Sequence, residues 1–462
     1  MIKEPLNSSD LLRVDVAWLE KWNRPVPRYT SYPTAPQFHP LEGQTVFNQL
    51  ASVGDEPLSL YIHIPFCKSM CLFCGCSVIL NRSHERAQRY LEHLLLEMRL
   101  VASALGRKKR ISQLHLGGGT PTSLDEAQLE LLMQGIRNHF SLEENGEVSI
   151  EVDPRTVVSD RGKKLEALKQ LGFNRVSFGV QDLDPRVQEA VKRRQSEAMT
   201  LETYAHARRL GFQGISIDLI YGLPLQTRES FQKTAHAICA LKPDRISLFS
   251  YAKVPWLKPH QNAIREEDLP TDAEKFQIYT DSRRTFMEGG YVAIGMDHFA
   301  LQGDPLAGAY ANGNLIRNFQ GYSVGRAEKM LGLGVSSIGF TGKLYLQNVK
   351  SLEEYETCLG KGELPILRGF HLSSEDLLRR WVIQEIMCRF RLEKRAFEER
   401  FGKSFDVHFA AARILIEQLI SEDLIEDTAD ELRATPRGRL FVRLIASVFD
   451  QYLGKGQFSR VV

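Results

Sequence analysis

Leu58-Ser-Leu-Tyr-Ile-His-Ile-Pro-Phe-Cys67-Lys-Ser-Met-Cys71-Leu-Phe-Cys74-Gly-Cys76 is a β-rich apolar run that ends in a cysteine loop. Four of the chain's seven cysteines fall in its last ten residues, and the first three are spaced C-x3-C-x2-C. Thiolates are the ligands that iron–sulfur clusters require. Three thiolates bind three irons of a four-iron cube and leave the fourth open to a substrate or cofactor. A structural zinc site takes two C-x2-C knuckles well apart; here the cysteines are crowded and no second pair follows. Cys239, Cys358 and Cys388 stand singly, as buried small hydrophobes do. A disulfide framework would suit a secreted chain, but the first residues do not read as a signal peptide.

Outward from this loop the pattern alternates. Apolar runs at 58–64, 111–116, 148–152, 175–180, 215–220 and 245–251 read as strands. Helical periodicity at 86–105, 124–140, 161–171, 201–210 and 228–241 separates them. Strand–helix units of this length predict parallel pairing with right-handed crossovers. The fold class is therefore α/β, and six units fall short of a closed eight-stranded barrel, so a partial (βα)6 barrel with one open side is expected. Such sheets place their sites at the carboxyl ends of the strands. There the chain carries Gly117-Gly118-Gly119-Thr120, Glu151, Gln181 and Asp218. The glycines admit a ligand close to the backbone, but neither Gly-x-x-x-x-Gly-Lys-Ser/Thr nor Gly-x-Gly-x-x-Gly is present, so a phosphate loop is not indicated.

The chain of 462 residues carries 59 basic and 57 acidic side chains, a balance that offers no bulk argument for nucleic acid or membrane. No apolar run is long enough to span a bilayer, and a cytoplasmic enzyme is expected. Residues 1–54 read as an arm or lid: a short helix at 14–22, then prolines 25, 27 and 33 around Arg24, Arg28, Tyr29 and Tyr32. This segment is either surface wrapping or a flap over the site. Residues 55–300 are the barrel and 301–369 its extension, with a small-residue loop at 300–313 and close-packed backbone at 331–339. Phe319 and Gln320 are candidates to face the site. His298 is either an acid–base group or a buried hydrogen-bonded histidine. Residues 370–462 read as a mainly helical domain: helices at 377–390 and 407–420, a hairpin at 424–435 and a helix at 436–449, which resembles a winged helix. Arg437, Arg439 and Arg443 would serve DNA binding, but no basic excess supports it; covering the barrel's open side is favoured.

The C-x3-C-x2-C spacing is that of the radical S-adenosylmethionine (AdoMet) enzymes. Pro27-Arg-Tyr-Thr-Ser-Tyr-Pro-Thr34, Tyr61-Ile-His-Ile-Pro-Phe-Cys67, Gly117-Gly-Gly-Thr-Pro-Thr122 and Ile150-Glu-Val-Asp-Pro154 make the likeness specific. So do Gly179-Val-Gln-Asp182, Ile217-Asp-Leu-Ile-Tyr-Gly-Leu-Pro224, Gly295-Met-Asp-His-Phe299, Arg317-Asn-Phe-Gln-Gly-Tyr322 and Gln457-Phe-Ser-Arg460. Over essentially its whole length the chain resembles the oxygen-independent coproporphyrinogen III oxidases.

The resemblance implies that Cys67, Cys71 and Cys74 ligate a [4Fe-4S] cluster and that two AdoMet molecules are held. Tyr61, Phe73, Gly118, Glu151 and Ile338 would line the first, on the cluster. Gly119, Thr120, Gln181, Arg193, Asp218 and Ala252 would line the second. The side chains suit this: carboxylates accept from ribose hydroxyls or an ammonium, Arg193 can take a carboxylate through two N–H groups, and Phe73 and Tyr61 offer flat apolar surface. Taken singly, Glu151 and Asp218 are equally strand-end caps and Ile338 plain core. The implied reaction converts the ring A and B propionates of coproporphyrinogen III to vinyl groups through a 5′-deoxyadenosyl radical, giving protoporphyrinogen IX. An electron donor such as flavodoxin or ferredoxin, an unidentified acceptor and a monomer are expected, with Arg28 and Arg317 as candidates for the substrate carboxylates. Cys76 is either a small residue in a tight loop or a fourth thiol close to the cluster or the second AdoMet, the one candidate for a catalytic side chain. Related heme chaperones usually carry an aromatic there and lack the Tyr29-Thr-Ser-Tyr32 arm; that chaperone reading, and an iron–sulfur transcription regulator, are the rivals.

Overall fold

The computed structural model describes residues 16–158, 162–325, 327–454 and 457–461. The six expected strands form: β1 (Leu58–Ile64), β2 (Lys109–Gly118), β3 (Phe140–Val152), β4 (Arg175–Gln181), β5 (Gly214–Tyr221) and β6 (Arg245–Ser250). They lie side by side in chain order, each parallel to the next. Their near-continuous apolar character has a cause. Leu60, Ile62, Leu116, Ile150, Val176 and Ile217 are all 0% exposed, in a sheet covered on both faces.

The crossovers are helices α1 (His84–Ala104), α2 (Glu126–His139), α3 (Lys163–Gln170), α4 (Glu197–Arg209) and α5 (Arg228–Leu241). Their starts are set locally. Ser83, Asp125, Ser196 and Thr227 each accept a backbone N–H of the first turn, and Asp125 and Thr227 do so within capping boxes.

The sheet grows beyond the six strands at both edges. Past α6 (Asp272–Glu288), strands β7 (Tyr291–Ile294) and β8 (His298–Leu301) join antiparallel beside β6. At the other edge β9 (Met330–Leu333) adds a seventh parallel strand against β1. Then β10 (Ile338–Phe340), β11 (Leu344–Asn348) and β12 (Ile366–His371) follow antiparallel. The order is β12-β11-β10-β9-β1-β2-β3-β4-β5-β6-β8-β7, and the two edge strands do not pair, so the barrel stays open. The close-packed backbone expected at 331–339 is present: a Cβ on Gly332 would lie 2.5 Å from the Ile338 carbonyl oxygen.

Three expected elements differ. Residues 300–313 are not a loop, because α7 (Pro305–Ala311) forms where Asp304 caps it and a proline opens it. Asp304 is buried and also pairs with Arg175 (2.9 Å) and Arg245 (2.7 Å) at the bases of β4 and β6. The helix read at 407–420 breaks into Phe405–His408, a 3₁₀ turn at Ala410–Ala412 and Arg413–Ser421. The helix read at 436–449 splits at Phe441, which leaves helical geometry (φ −115°, ψ 25°) as its ring packs on Trp18 and Phe276. The rest of this region holds α8 (Ser374–Arg389) and a small sheet in which Glu431–Ala434 lies between Arg391–Glu393 and Ile425–Asp427.

The described part of the arm, from residue 16 onward, is built into the core. Tyr29 and Tyr32 are each 2% exposed; Tyr29 donates to Asp450, and the Gln451 N–H donates to Tyr32. The arm runs from Arg28, paired with Asp297 beside β8, to His39, which exchanges backbone hydrogen bonds with Gly369 of β12. It thereby spans the gap between the two edges of the sheet. Arg317 and Arg443 also serve this seam. Arg317, its side chain 2% exposed, donates to the Arg28 carbonyl (3.0 Å) and stands over the Tyr322 ring. Arg443 is 3% exposed and donates to the carbonyls of Val26, Pro27, Ser459 and Arg460. Arg443 therefore faces inward rather than toward a nucleic acid, while Arg437 and Arg439 lie over the Trp18 and Phe390 rings. Among the described residues no helix is long and apolar enough to cross a membrane.

Candidate active site

A cavity of about 390 Å³ opens at the carboxyl ends of β1 to β6. Cys67, Cys71, Cys74 and Cys76 form one wall; Gly118, Gly119 and Thr120 follow from β2, Glu151 from β3, Gln181 from β4, Asp218 from β5 and Ala252 just past β6. Phe73 and Arg193 complete the set. The strands thus bring together residues from 67 to 252, thirteen of the fifteen read from the sequence for cluster and AdoMet, Cys76 included. The other two, Tyr61 and Ile338, are not among the lining residues. The Tyr61 hydroxyl sits 3.0 Å from His63 Nδ1 and its ring stacks on His115. Ile338 lies on β10 and packs beside Phe340 and Tyr345.

The glycine run has a packing reason. Gly118 stands at φ 122°, where a side chain is strained, and a Cβ there would meet the His63 ring at 2.7 Å. A Cβ on Gly119 would lie 2.5 Å from the Pro65 carbonyl oxygen. These glycines let the β2 turn close against the strand that delivers Cys67. Gly119→Ala is expected to push the two apart, lowering the thermal midpoint by several degrees and the iron retained after reconstitution. Unchanged melting and iron content would show that the turn tolerates a methyl group.

Glu151 accepts the Gly118 N–H at 3.1 Å and lies 3.4 Å from His115 Nε2, which fixes one carboxylate at the glycine turn. Burial pushes the Asp218 carboxyl up, against the hydrogen bond that Ser177 donates to it at 2.9 Å. Gln181 takes a left-handed conformation (φ 70°) where the β4–β5 register shifts, an unusual backbone placed at the cavity wall.

Around Cys71 the charges converge. Arg155 Nη2 and Arg193 Nη1 both stand 3.6 Å from its Sγ. Asp153 lies between them, 2.6 Å from Arg155 and 3.5 Å from Arg193. Burial would raise the Asp153 carboxyl, but the Arg193 and Arg155 guanidiniums outweigh it and hold it below the usual carboxylate range. Arg193 Nη2 donates to the Gly179 carbonyl at 2.6 Å, so both terminal nitrogens are engaged and Nε is buried without a partner. Burial pushes the Cys67 thiol up to about 11, and a hydrogen bond from Cys76 lowers Cys74 to about 7.

Asp153 and Arg155 were not picked out from the sequence. Their signal was present: Asp153-Pro154 at a strand end caps a short helix, which aims Arg155 back at the cysteine loop. Arg28 and Arg317, the candidates for substrate carboxylates, both stand against Asp297 (2.7 and 3.8 Å). His298 is a buried partner of Asp297 at 2.6 Å. Gln320, with His298 and Tyr322, lines a second space of about 170 Å³ inside the barrel, which shares Glu151, Ser177, Asp218 and Phe249 with the first. Phe319 instead packs edge-on against Tyr345.

The donor set suits an iron–sulfur cluster. The thiols are spread around a cavity wall, and among the described residues no three His, Cys, Asp or Glu side chains are placed to hold a single metal ion. Soft sulfur donors flanked by two guanidiniums match a cluster of negative charge.

Residues 61–238 match the Radical SAM superfamily, and residues 372–441 match the HemN C-terminal domain. An oxygen-independent coproporphyrinogen III oxidase of Pseudomonas aeruginosa is 42% identical over 98% of this chain and 100% of its own length. Its counterpart in Escherichia coli K12 is 42% identical over 97% and 98%. The solved structure of the Escherichia coli coproporphyrinogen III oxidase, described as a radical SAM enzyme, superposes with a TM-score of 0.88 at 41% identity, covering 96% of this chain and 99% of that one. With thiols, glycine turn and strand-end carboxylates around one cavity and likeness of this extent, the chain belongs to the oxygen-independent coproporphyrinogen III oxidase family of the radical AdoMet superfamily.

Proposed function

We propose that this chain carries out the anaerobic oxidative decarboxylation of the ring A and ring B propionates of coproporphyrinogen III to vinyl groups, giving protoporphyrinogen IX. The observation that carries this is the single cavity in which the cysteine loop, glycine turn and strand-end carboxylates meet, in a chain of this family.

Cys67, Cys71 and Cys74 would hold a [4Fe-4S] cluster, with Phe73, Gly118 and Glu151 about one AdoMet and Gly119, Thr120, Gln181, Arg193, Asp218 and Ala252 about a second. Tyr61 and Ile338 would act from behind the wall, Tyr61 through its stacking on His115. When bound, cluster and AdoMet supply a primary carbon radical able to take hydrogen from a propionate β-carbon. The chain's task is to orient and to shield. Arg155 and Arg193 offset negative charge at Cys71. Glu151 and Asp218 offer acceptors for hydroxyl or ammonium groups, Asp218 more readily protonated because it is buried. Water must be kept from the reacting carbon. The arm of residues 1–54, tied at Asp297 and at Gly369, and the domain of residues 370–462 would cover the open side of the barrel at 55–300 and its extension at 301–369. The electron comes from a one-electron carrier such as flavodoxin or ferredoxin; a monomer in the cytoplasm is the working form.

The test is anaerobic turnover of the reconstituted chain with AdoMet, a reductant, an electron acceptor and coproporphyrinogen III, following 5′-deoxyadenosine and protoporphyrinogen IX together. Both are expected. Deoxyadenosine without a vinyl product would mean a radical enzyme with another substrate. Neither product from a chain with full iron content would favour a heme chaperone.

A further inference from the structure

The loop that carries the cysteines has few backbone partners inside itself. Cys74 N–H donates to the Cys71 carbonyl, and Leu72 N–H to Val191. The carbonyls of Phe73, Cys74 and Cys76 are met by side chains from elsewhere in the chain. All three are met by one short segment. Gln261 Nε2 donates to Phe73 at 2.9 Å, His260 Nε2 lies 2.9 Å from the Cys74 carbonyl, and Lys258 Nζ donates to Cys76 at 2.6 Å. The segment is the 3₁₀ turn Pro259–Ala263 with the lysine before it, in the connection that leaves β6 (Arg245–Ser250).

Gln261 does more than end one bond. It is 0% exposed, its amide also reaches the Ala252 carbonyl at 3.4 Å, and its oxygen accepts the Val254 N–H at 2.6 Å. Every polar atom of its side chain is thus engaged. One planar amide joins the backbone of Phe73, on the cysteine loop, to that of Ala252, just past β6. Phe73 and Ala252 stand on the walls assigned above to the two AdoMet molecules.

We propose that Lys258, His260 and Gln261 form a clamp that positions the cluster loop, and that Gln261 couples the walls of the two AdoMet sites. They are positioning residues, since none touches the cavity itself. The coupling rests on the function proposed above; the clamp on the loop does not. Its physical sense is general: groups behind the ligands of a metal centre set ligand orientation, and losing one costs about 10- to 100-fold in affinity or activity.

The test pairs His260→Leu with His260→Gln, whose amide nitrogen reaches where imidazole Nε2 stood, and adds Gln261→Met. Hydrogen exchange in the cluster-free full-length chain is read first. His260→Leu is expected to speed exchange at residues 67–78 while leaving β1 to β6 unchanged, and His260→Gln to restore the parent rate. Equal loop exchange in all variants overturns the clamp whatever the protein's activity. In the reconstituted chain His260→Leu and Gln261→Met are expected to raise the KM for AdoMet about tenfold or more. They should also alter the change that AdoMet induces in the EPR signal of the reduced cluster, and release deoxyadenosine in excess over vinyl groups. An unchanged KM and signal in both variants overturns the coupling. Gln261 is buried, so if Gln261→Met fails to melt cooperatively, the half-exposed His260 pair decides. A parent chain that takes up no iron would sink the proposed function, and the exchange result would still stand on its own.

Discussion

A serine in place of Cys71 is expected to abolish 5′-deoxyadenosine and vinyl product together, by well over the ~100-fold that loss of an outer-shell partner can cost. Cys71 is the buried member of the three, 7% exposed, and its sulfur stands 3.6 Å from two guanidiniums. A serine hydroxyl is a harder and poorer ligand for iron, and its oxygen sits closer to the backbone than the sulfur did. Arg155 and Arg193 would then face Asp153 with less negative charge before them. Iron and sulfide per chain should fall with activity, while the cluster-free chain should melt near the parent temperature because the fold packs elsewhere. Cys76→Ser is the comparison for iron content alone, since Cys76 lies outside the C-x3-C-x2-C set and is exposed. Full iron and turnover in Cys71→Ser would sink the ligand assignment, and loss of iron in Cys76→Ser with retention in Cys71→Ser would reassign it.

Alanine at Asp297 should be the most destabilising single change outside the core, at about 3–5 kcal/mol, the cost of breaking a buried charge pair from one side. Asp297 is 4% exposed and faces Arg28 at 2.7 Å, His298 at 2.6 Å and Arg317 at 3.8 Å. Burial alone would raise its carboxyl, but Arg317, His298 and Arg28 prevail and hold it far below the usual range. Removing it leaves the deeply buried Arg317 without a counter-charge and frees Arg28, the arm's tie to this edge of the barrel. Urea unfolding should shift to a lower midpoint, and protease should cut between residues 24 and 34 sooner. The pH sign follows from the depressed value. The Asp297 contribution is present above the unfolded carboxylate range near pH 4 and is lost as pH falls through the folded value. The gap between parent and Asp297→Ala should therefore narrow below about pH 4. A gap that widens on acidification, or an arm no more open to protease, would remove Asp297 as the anchor.

These results bear on a shared design. The parallel strands deliver cavity-lining residues at one rim, and segments distant in sequence hold that rim in place. Asp297 anchors the arm across the open side; Lys258, His260 and Gln261 brace the cysteine loop; Asp304 ties the bases of β4 and β6. Large substrates need an open barrel, and an open barrel lacks the closure that would stiffen it. Buried ion pairs and carbonyl clamps take that part here.

Much of this could be taken from the order of residues alone, because it is local. The strands β1 to β6 announce themselves as apolar runs, since each is buried on both faces. Capping residues mark the helix starts, and three cysteines spaced for a cluster need no tertiary help to be seen. Strand ends then picked out Glu151, Gln181 and Asp218, because a parallel sheet sends every carboxyl end to the same rim. Other features depended on which distant segments meet. Nothing in Met330–Leu333 says that it lies against β1. Arg28 and Arg317 have the charge for a substrate carboxylate, and only the packed chain shows Asp297 already between them. Arg443 reads as a surface cation until its carbonyl partners from the arm and the last residues are seen. Asp153 and Arg155 belong to a four-residue helix and its cap, and Gln261 to a 3₁₀ turn, all too short for a period to expose a side chain's direction. Periodicity reports which face of an element is buried; the partner of a buried polar group is set by the fold, and that is where this site's supports lie.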